Sequence, residues 1–262
     1  MPLRELSLPR LKIIAPHGMA RLAALALGAL LSFPAVAADP PPSRLPAAHA
    51  SPLLPDGLYT ANDQLLVYVD HGQGQVRLKF ADSDEVFYLS NEPGALGGRI
   101  LKYDTGELAL QVAGWGGVTL YTPELKSGVP LELADVTDDL TPEPLSPDGL
   151  KRLASICAQD LAAHNDLTIE FSGDWDALAH SDGARALAAD AMRNAAAALS
   201  HAAKGPKRPA ITEHLHLVRL GNGAKSSASV QKGTLVIEFA PQDGAGARPS
   251  SLLIAETLDA AF

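Results

Sequence analysis

The chain has 262 residues, of which 47% are apolar and 19% charged, with a formal net charge of −9. That balance excludes wholesale disorder and leaves enough apolar material for one or two buried cores. Counted from Ala38 onward there are 17 basic and 29 acidic residues, and an acidic surface with no Lys/Arg cluster argues against nucleic acid and anionic lipid as partners.

Residues 1–37 read as a secretory signal peptide. Arg4, Arg10, Lys12 and Arg21 precede an apolar run from Leu22 to Leu31, and Ala35-Val36-Ala37 places cleavage between Ala37 and Ala38. The run is about half the ~20 residues that span a bilayer, and no later stretch is longer, so no transmembrane segment is expected in the mature chain. A start at Met19 gives a signal of more usual length. The expected location is periplasmic or secreted. Residues 38–55 hold six prolines and no apolar period, as in an extended tether.

From 56 to 123 alternation dominates: Val76, Leu78 and Phe80 point one way and Arg77 and Lys79 the other, and Leu108, Leu110 and Val112 repeat the pattern. Turn residues at "DHGQG", "ADSD", "NEPGALGG", "DTG" and "GWGG" leave six or seven short strands, an antiparallel β-meander or small barrel. Residues 124–146 are proline-rich and read as a linker. The domain from 147 to 262 changes period. Ser146-Pro147 caps a helix whose stripe is Leu150, Leu153, Ala154, Cys157, Ala158 and Leu161. The lone cysteine sits on that stripe as a small hydrophobe, not an activated nucleophile. A strand with Leu167, Ile169 and Phe171 follows, then a long helix from Ala184 to Ala202. Strands at Ile211–Leu220, Ser226–Gln231 and Thr234–Ala240 and a closing helix complete it. Helices set against one antiparallel sheet make this domain an α+β sandwich.

The sharpest chemical pattern is "TEHLHLVRL", Thr212 to Leu220. On a strand, His214 and His216 share one face, a spacing that can grip zinc if Glu238 supplies a third ligand. The alternative is a solvated sheet face. No catalytic site is expected: H-E-x-x-H and G-x-S-x-G are absent, and the glycine-rich "HGQG" and "GWGG" open no helix as phosphate loops do. Trp115 and Tyr121, near the "GWGG" turn, are the expected interaction residues, since aromatics on turns make good anchors.

The stretch from Leu78 to Glu124 resembles an exported alphaproteobacterial family, domain of unknown function 4908, through Phe80, Asp82, Ser83, Glu85–Phe87, Tyr103, Gly106 and Gly116–Pro123. "ARPSS", Ala247 to Ser251, extends the likeness toward the end of the chain. The resemblance implies export and assigns no activity. A second, fold-level likeness is to C-type lysozyme inhibitor β-barrels, but Gly97-Gly98 and Gly114-Trp115-Gly116 depart from their inhibitory hairpin. The sequence thus leads to an exported, non-enzymatic binding module of the cell envelope with no cofactor, its partner an envelope protein or glycan. A zinc-binding protein or metal-dependent hydrolase built on His214 and His216 is the alternative.

Overall fold

A computed structural model describes residues 54–262 apart from 62–64, 137–139, 142, 179–180 and 245. The expected signal peptide, its expected cleavage site between Ala37 and Ala38, and all but the last two residues of the expected 38–55 tether lie outside the described residues.

Eight strands come first: β1 (Gly57–Ala61), β2 (Leu65–Asp70), β3 (Val76–Phe80), β4 (Val86–Pro93), β5 (Arg99–Lys102), β6 (Leu108–Val112), β7 (Val118–Leu120) and β8 (Val129–Asp135). Each pairs antiparallel with the next, and β8 returns to β1, so the sheet closes into a barrel. Closure removes every exposed strand edge. Alternate residues fill the interior: Val69 stands opposite Leu78, Leu78 opposite Phe87, Leu101 opposite Leu110, and Leu110 opposite Leu120. All of these are buried.

The eighth strand corrects the reading of 124–146 as linker throughout. Val129–Asp135 pairs with both β1 and β7. Its signal is faint because Leu131 alone among its seven residues is buried, and because Pro130 suggests a break in the ladder.

The second half comprises α1 (Pro147–Asn165), β9 (Glu170–Gly173), α2 (Trp175–Leu178), α3 (Asp182–Ala202), α4 (Arg208–His214), β10 (Leu217–Asn222), β11 (Ser227–Gln231), β12 (Thr234–Phe239) and α5 (Ser251–Ala261). The caps follow the sequence: the Ser146, Ser181 and Ser250 side chains accept from the backbone N–H groups of Gly149, Ala184 and Leu253. Cys157 is buried on the α1 stripe, and burial pushes its thiol up to about 11. The helices bury this stripe and the α3 alanines against the sheet.

That sheet is mixed, with order β11-β12-β10-β9. β10 runs parallel to both β9 and β12, and only the β11–β12 hairpin is antiparallel. The expectation of an antiparallel sheet fails because the long helix between β9 and β10 is a crossover connection, which returns the chain in the same direction. The expected strand from Ile211 is also corrected: Ile211 and Leu215 lie four residues apart, a helical spacing, and both are buried at the end of α4.

Candidate binding site

A row of polar side chains crosses the outer face of the barrel. Asp70 is the register partner of Arg77, and Arg77 of Tyr88, so they alternate with the inward row Val69, Leu78 and Phe87. The Arg77 guanidinium donates to both Asp70 oxygens, Nε to Oδ1 at 2.6 Å and Nη2 to Oδ2 at 2.5 Å. Arg77 is 1% exposed and Asp70 5%. What covers them is the chain after β8: Arg77 Nη1 donates to Thr141 Oγ1 at 2.7 Å, and the Leu140 N–H donates to Asp70 Oδ2 at 3.0 Å. On the other side lies Gly72, where a Cβ would fall 2.0 Å from the guanidinium, so no larger residue fits there without moving the arginine.

Helix α3 and the segment leading into α5 complete the surroundings. Arg248 lies 5.0 Å from the Tyr88 ring centroid, donates through Nη2 to the Val86 carbonyl at 2.6 Å, and stands 3.6 Å from Asp190 of α3. Asn194, one turn on, donates to the Pro249 carbonyl at 2.9 Å. Ser250 donates through N and Oγ to the two Asp104 oxygens at 2.7 and 2.6 Å, and Ser251 likewise to Glu85 at 2.8 and 2.5 Å. The "ARPSS" phrase is therefore a clasp that fastens the α/β half to the barrel. Burial raises the pKa of Glu85 and of Asp190, and the hydrogen bonds from Ser251 and the charge of Arg248 only partly oppose it.

Two adjoining cavities open in this seam. One, of about 290 Å³, is walled by Tyr88, Pro144, Ala186, Leu187 and Pro241, with Thr141, Asp182 and Asp190 supplying polar atoms. The other, of about 470 Å³, shares Thr141 and Asp190 and adds Lys79, Asp84, Glu143 and Arg193. Tyr88 Oη sits beside the Arg77 guanidinium but takes part in no well-formed hydrogen bond, and Arg248 Nε is also unpartnered. Burial raises the Tyr88 phenol, opposed by the charges of Arg248 and Arg77.

The residues singled out from sequence lie elsewhere. His214 ends α4, exposed, its Nε2 3.9 Å from its neighbour Glu213, and His216 precedes β10 with its backbone N–H bonded to Gly233. They do not share a strand face. Glu238 accepts from Ser227 Oγ at 2.9 Å and lies five residues along β12 from Gly233, roughly 16 Å away at strand rise. Among the described residues no three His, Cys, Asp or Glu side chains gather as a metal requires.

Trp115 and Tyr121 flank β7 at opposite ends. Tyr121 is half-buried and its hydroxyl donates to Gln111 Oε1 at 3.1 Å. Trp115 is 80% exposed, and on the adjoining turn Leu96 is 86% exposed. A Cβ on Gly114 would fall 2.1 Å from the Leu96 carbonyl oxygen, so the bare glycine lets the two turns touch. Leu96 itself is left-handed, at φ 52 and ψ 38, a conformation rare for a branched residue.

Sequence reasoning missed Leu96, because a leucine in "PGALGG" carries no sign of its backbone. It missed Arg77, Asp190 and Asn194 as well, because a charged or amide residue on the polar side of an amphipathic element reads as solvated.

The chain matches the protein family described as Domain of unknown function (DUF4908) over residues 42–258 and belongs to it. Neither the curated proteins nor the solved structures contain a match.

Proposed function

We propose that this member of the family is an exported, non-enzymatic interaction module of the cell envelope that docks a protein partner through the barrel turns carrying Leu96 and Trp115. The observation that carries this reading is the pairing of those two side chains. Among the described residues they have the greatest exposure of the large hydrophobic side chains, apart from Val136 at 82%, and they stand on turns held in contact at Gly114. Scattered surface apolars need no explanation, but a leucine kept at positive φ and pointed into water is unfavourable twice over in the free protein. A partner's apolar pocket removes the second penalty, and tryptophan is among the commonest interface anchors. Export is read from residues 1–37, and the acidic balance of the chain beyond them favours a protein over an anionic lipid surface as the partner.

Position-specific cross-linking tests the reading. A photo-reactive side chain introduced at position 115 should give one discrete envelope-protein adduct. The same group at position 66, another exposed leucine on the barrel, should not. Identical adducts from both positions, or none from 115, overturn it.

A further inference from the structure

We infer that the barrel mouth between Asp82 and Glu124 is a binding site for a small organic cation, an ammonium group on an apolar stem. Successive barrel strands are antiparallel, so the connections after β1, β3, β5 and β7 lie at one end and the turns carrying Leu96 and Trp115 at the other. At the first end a cavity of about 340 Å³ opens, lined by Asp82, Tyr103 and Glu124 from three of those connections. Its size falls within the ~300–1,000 Å³ of ligand pockets, and barrel mouths are among their usual places. Phe80 and Tyr103 meet Phe87 edge to face, with ring centroids 6.1 and 5.2 Å away, and Leu125 and Leu252 continue this apolar wall. Leu125 is 39% exposed, so apolar surface lies open at the rim for a stem to cover.

The charge on this wall has one sign. Among the described residues the charged side chains that line the cavity are both carboxylates. Both are exposed and neither is held in an ion pair there; Glu124 accepts from Thr122 Oγ1 at 2.9 Å on its own connection. Lys102, beside Tyr103, is engaged by Glu92 at 2.7 Å, and Lys126 is not on the wall. Burial raises the Tyr103 phenol, and the charges of Glu124, Glu107 and Glu85 raise it further, as a negative field at the mouth requires. Carboxylates beside a low-dielectric wall focus that field on the cavity. An anion is repelled, a bare metal ion gains nothing from the rings, and a neutral apolar molecule leaves the charge unused. An ammonium on an apolar stem uses both. The site lies at the opposite end of the barrel from Leu96 and Trp115, so it stands or falls apart from the docking surface.

Chemical-shift titration of the isotope-labelled protein at low ionic strength tests it, with phenethylammonium, phenethyl alcohol and hydrocinnamate as three probes that share one stem and differ in charge. Phenethylammonium should saturate shifts at Phe80, Leu125 and Leu252, binding about tenfold more tightly than the alcohol, while hydrocinnamate should not saturate. The double variant Asp82→Asn, Glu124→Gln should bring the ammonium to within about twofold of the alcohol and leave the alcohol unchanged. Both positions are exposed and glutamine keeps an acceptor for Thr122, so this variant should melt as wild type does. The inference is overturned if the wild type does not saturate with the ammonium or shifts only elsewhere. It is equally overturned if the alcohol or hydrocinnamate binds as tightly, or if the double variant keeps the preference for the cation.

Discussion

Replacing Arg77 by methionine removes a cation that holds Asp70 by two hydrogen bonds of 2.6 and 2.5 Å and reaches Thr141 at 2.7 Å. What remains is a carboxylate 5% exposed whose one remaining donor among the described residues is the Leu140 N–H at 3.0 Å. Breaking one side of a buried ion pair costs ~3–5 kcal/mol, because the surviving charge has neither water nor counter-ion. For a chain of about 200 folded residues that is a drop of roughly 6–20 °C in melting temperature. It is a large share of the ~5–15 kcal/mol that holds a domain folded. Urea unfolding followed by circular dichroism gives the free energy. Adding Asp70→Asn to Arg77→Met should recover part of the loss, since asparagine keeps an acceptor for Leu140 and sheds the stranded charge. An Arg77→Met protein within about 1 kcal/mol of wild type, or a double variant whose losses simply add, refutes this account of the seam.

Glu85 has a raised folded-state pKa, so its favourable contribution is fully present below the unfolded value of ~4.3 and is lost as pH rises through the folded one. Wild type should therefore lose stability relative to Glu85→Gln as pH rises, read from urea midpoints at a series of pH values, and a pH-independent difference contradicts it. Leu96→Gly should stabilise the fold by up to about 1 kcal/mol, since glycine adopts positive φ freely, and a lower melting temperature would show that the leucine is packed. Trp115→Ala should leave stability within about 0.5 kcal/mol of wild type, as for an exposed site. Cutting between Thr137 and Ser146 should release a β-rich fragment with all eight barrel strands and an α/β fragment, each still folded by circular dichroism, because the two halves have separate cores. Collapse of either shows that the clasp at Arg248, Ser250 and Ser251 is needed for folding.

Much of the fold was legible because its elements carry strong periods. The α1 stripe through Cys157 and its Ser146 cap follow from local chemistry, as does the hairpin of β11 and β12, which turns at Lys232-Gly233 with φ 47 and 80. What failed did so where two periods overlap or where tertiary partners decide. In "ITEHLHLVRL" the alternation that predicted a strand coexists with the Ile211/Leu215 helical spacing, and burial of both residues selected the helix. That exchange also dissolved the histidine pair, whose chemistry depended on a shared strand face. The direction of β10 could not be read, because parallel and antiparallel strands share one alternation. The seam escaped for a related reason: Asp70, Arg77, Asp190 and Arg248 are surface residues by type, and only tertiary packing buries them. The chain after β8 covers Asp70 and Arg77, and the approach of the "ARPSS" segment to β4 and α3 covers Arg248 and Asp190. The exposure of Trp115 was legible because an aromatic residue between glycines has little with which to pack.

The most direct test of the docking account is the affinity of the cross-linked envelope protein for wild type, Trp115→Ala and Leu96→Gly, measured on folded chains. The account predicts that Trp115→Ala weakens binding by about 2 kcal/mol, roughly 30-fold, at unchanged melting temperature. Leu96→Gly should weaken it while raising the melting temperature. Affinities within about twofold of wild type for both variants would contradict the claim that these two turns are the binding surface.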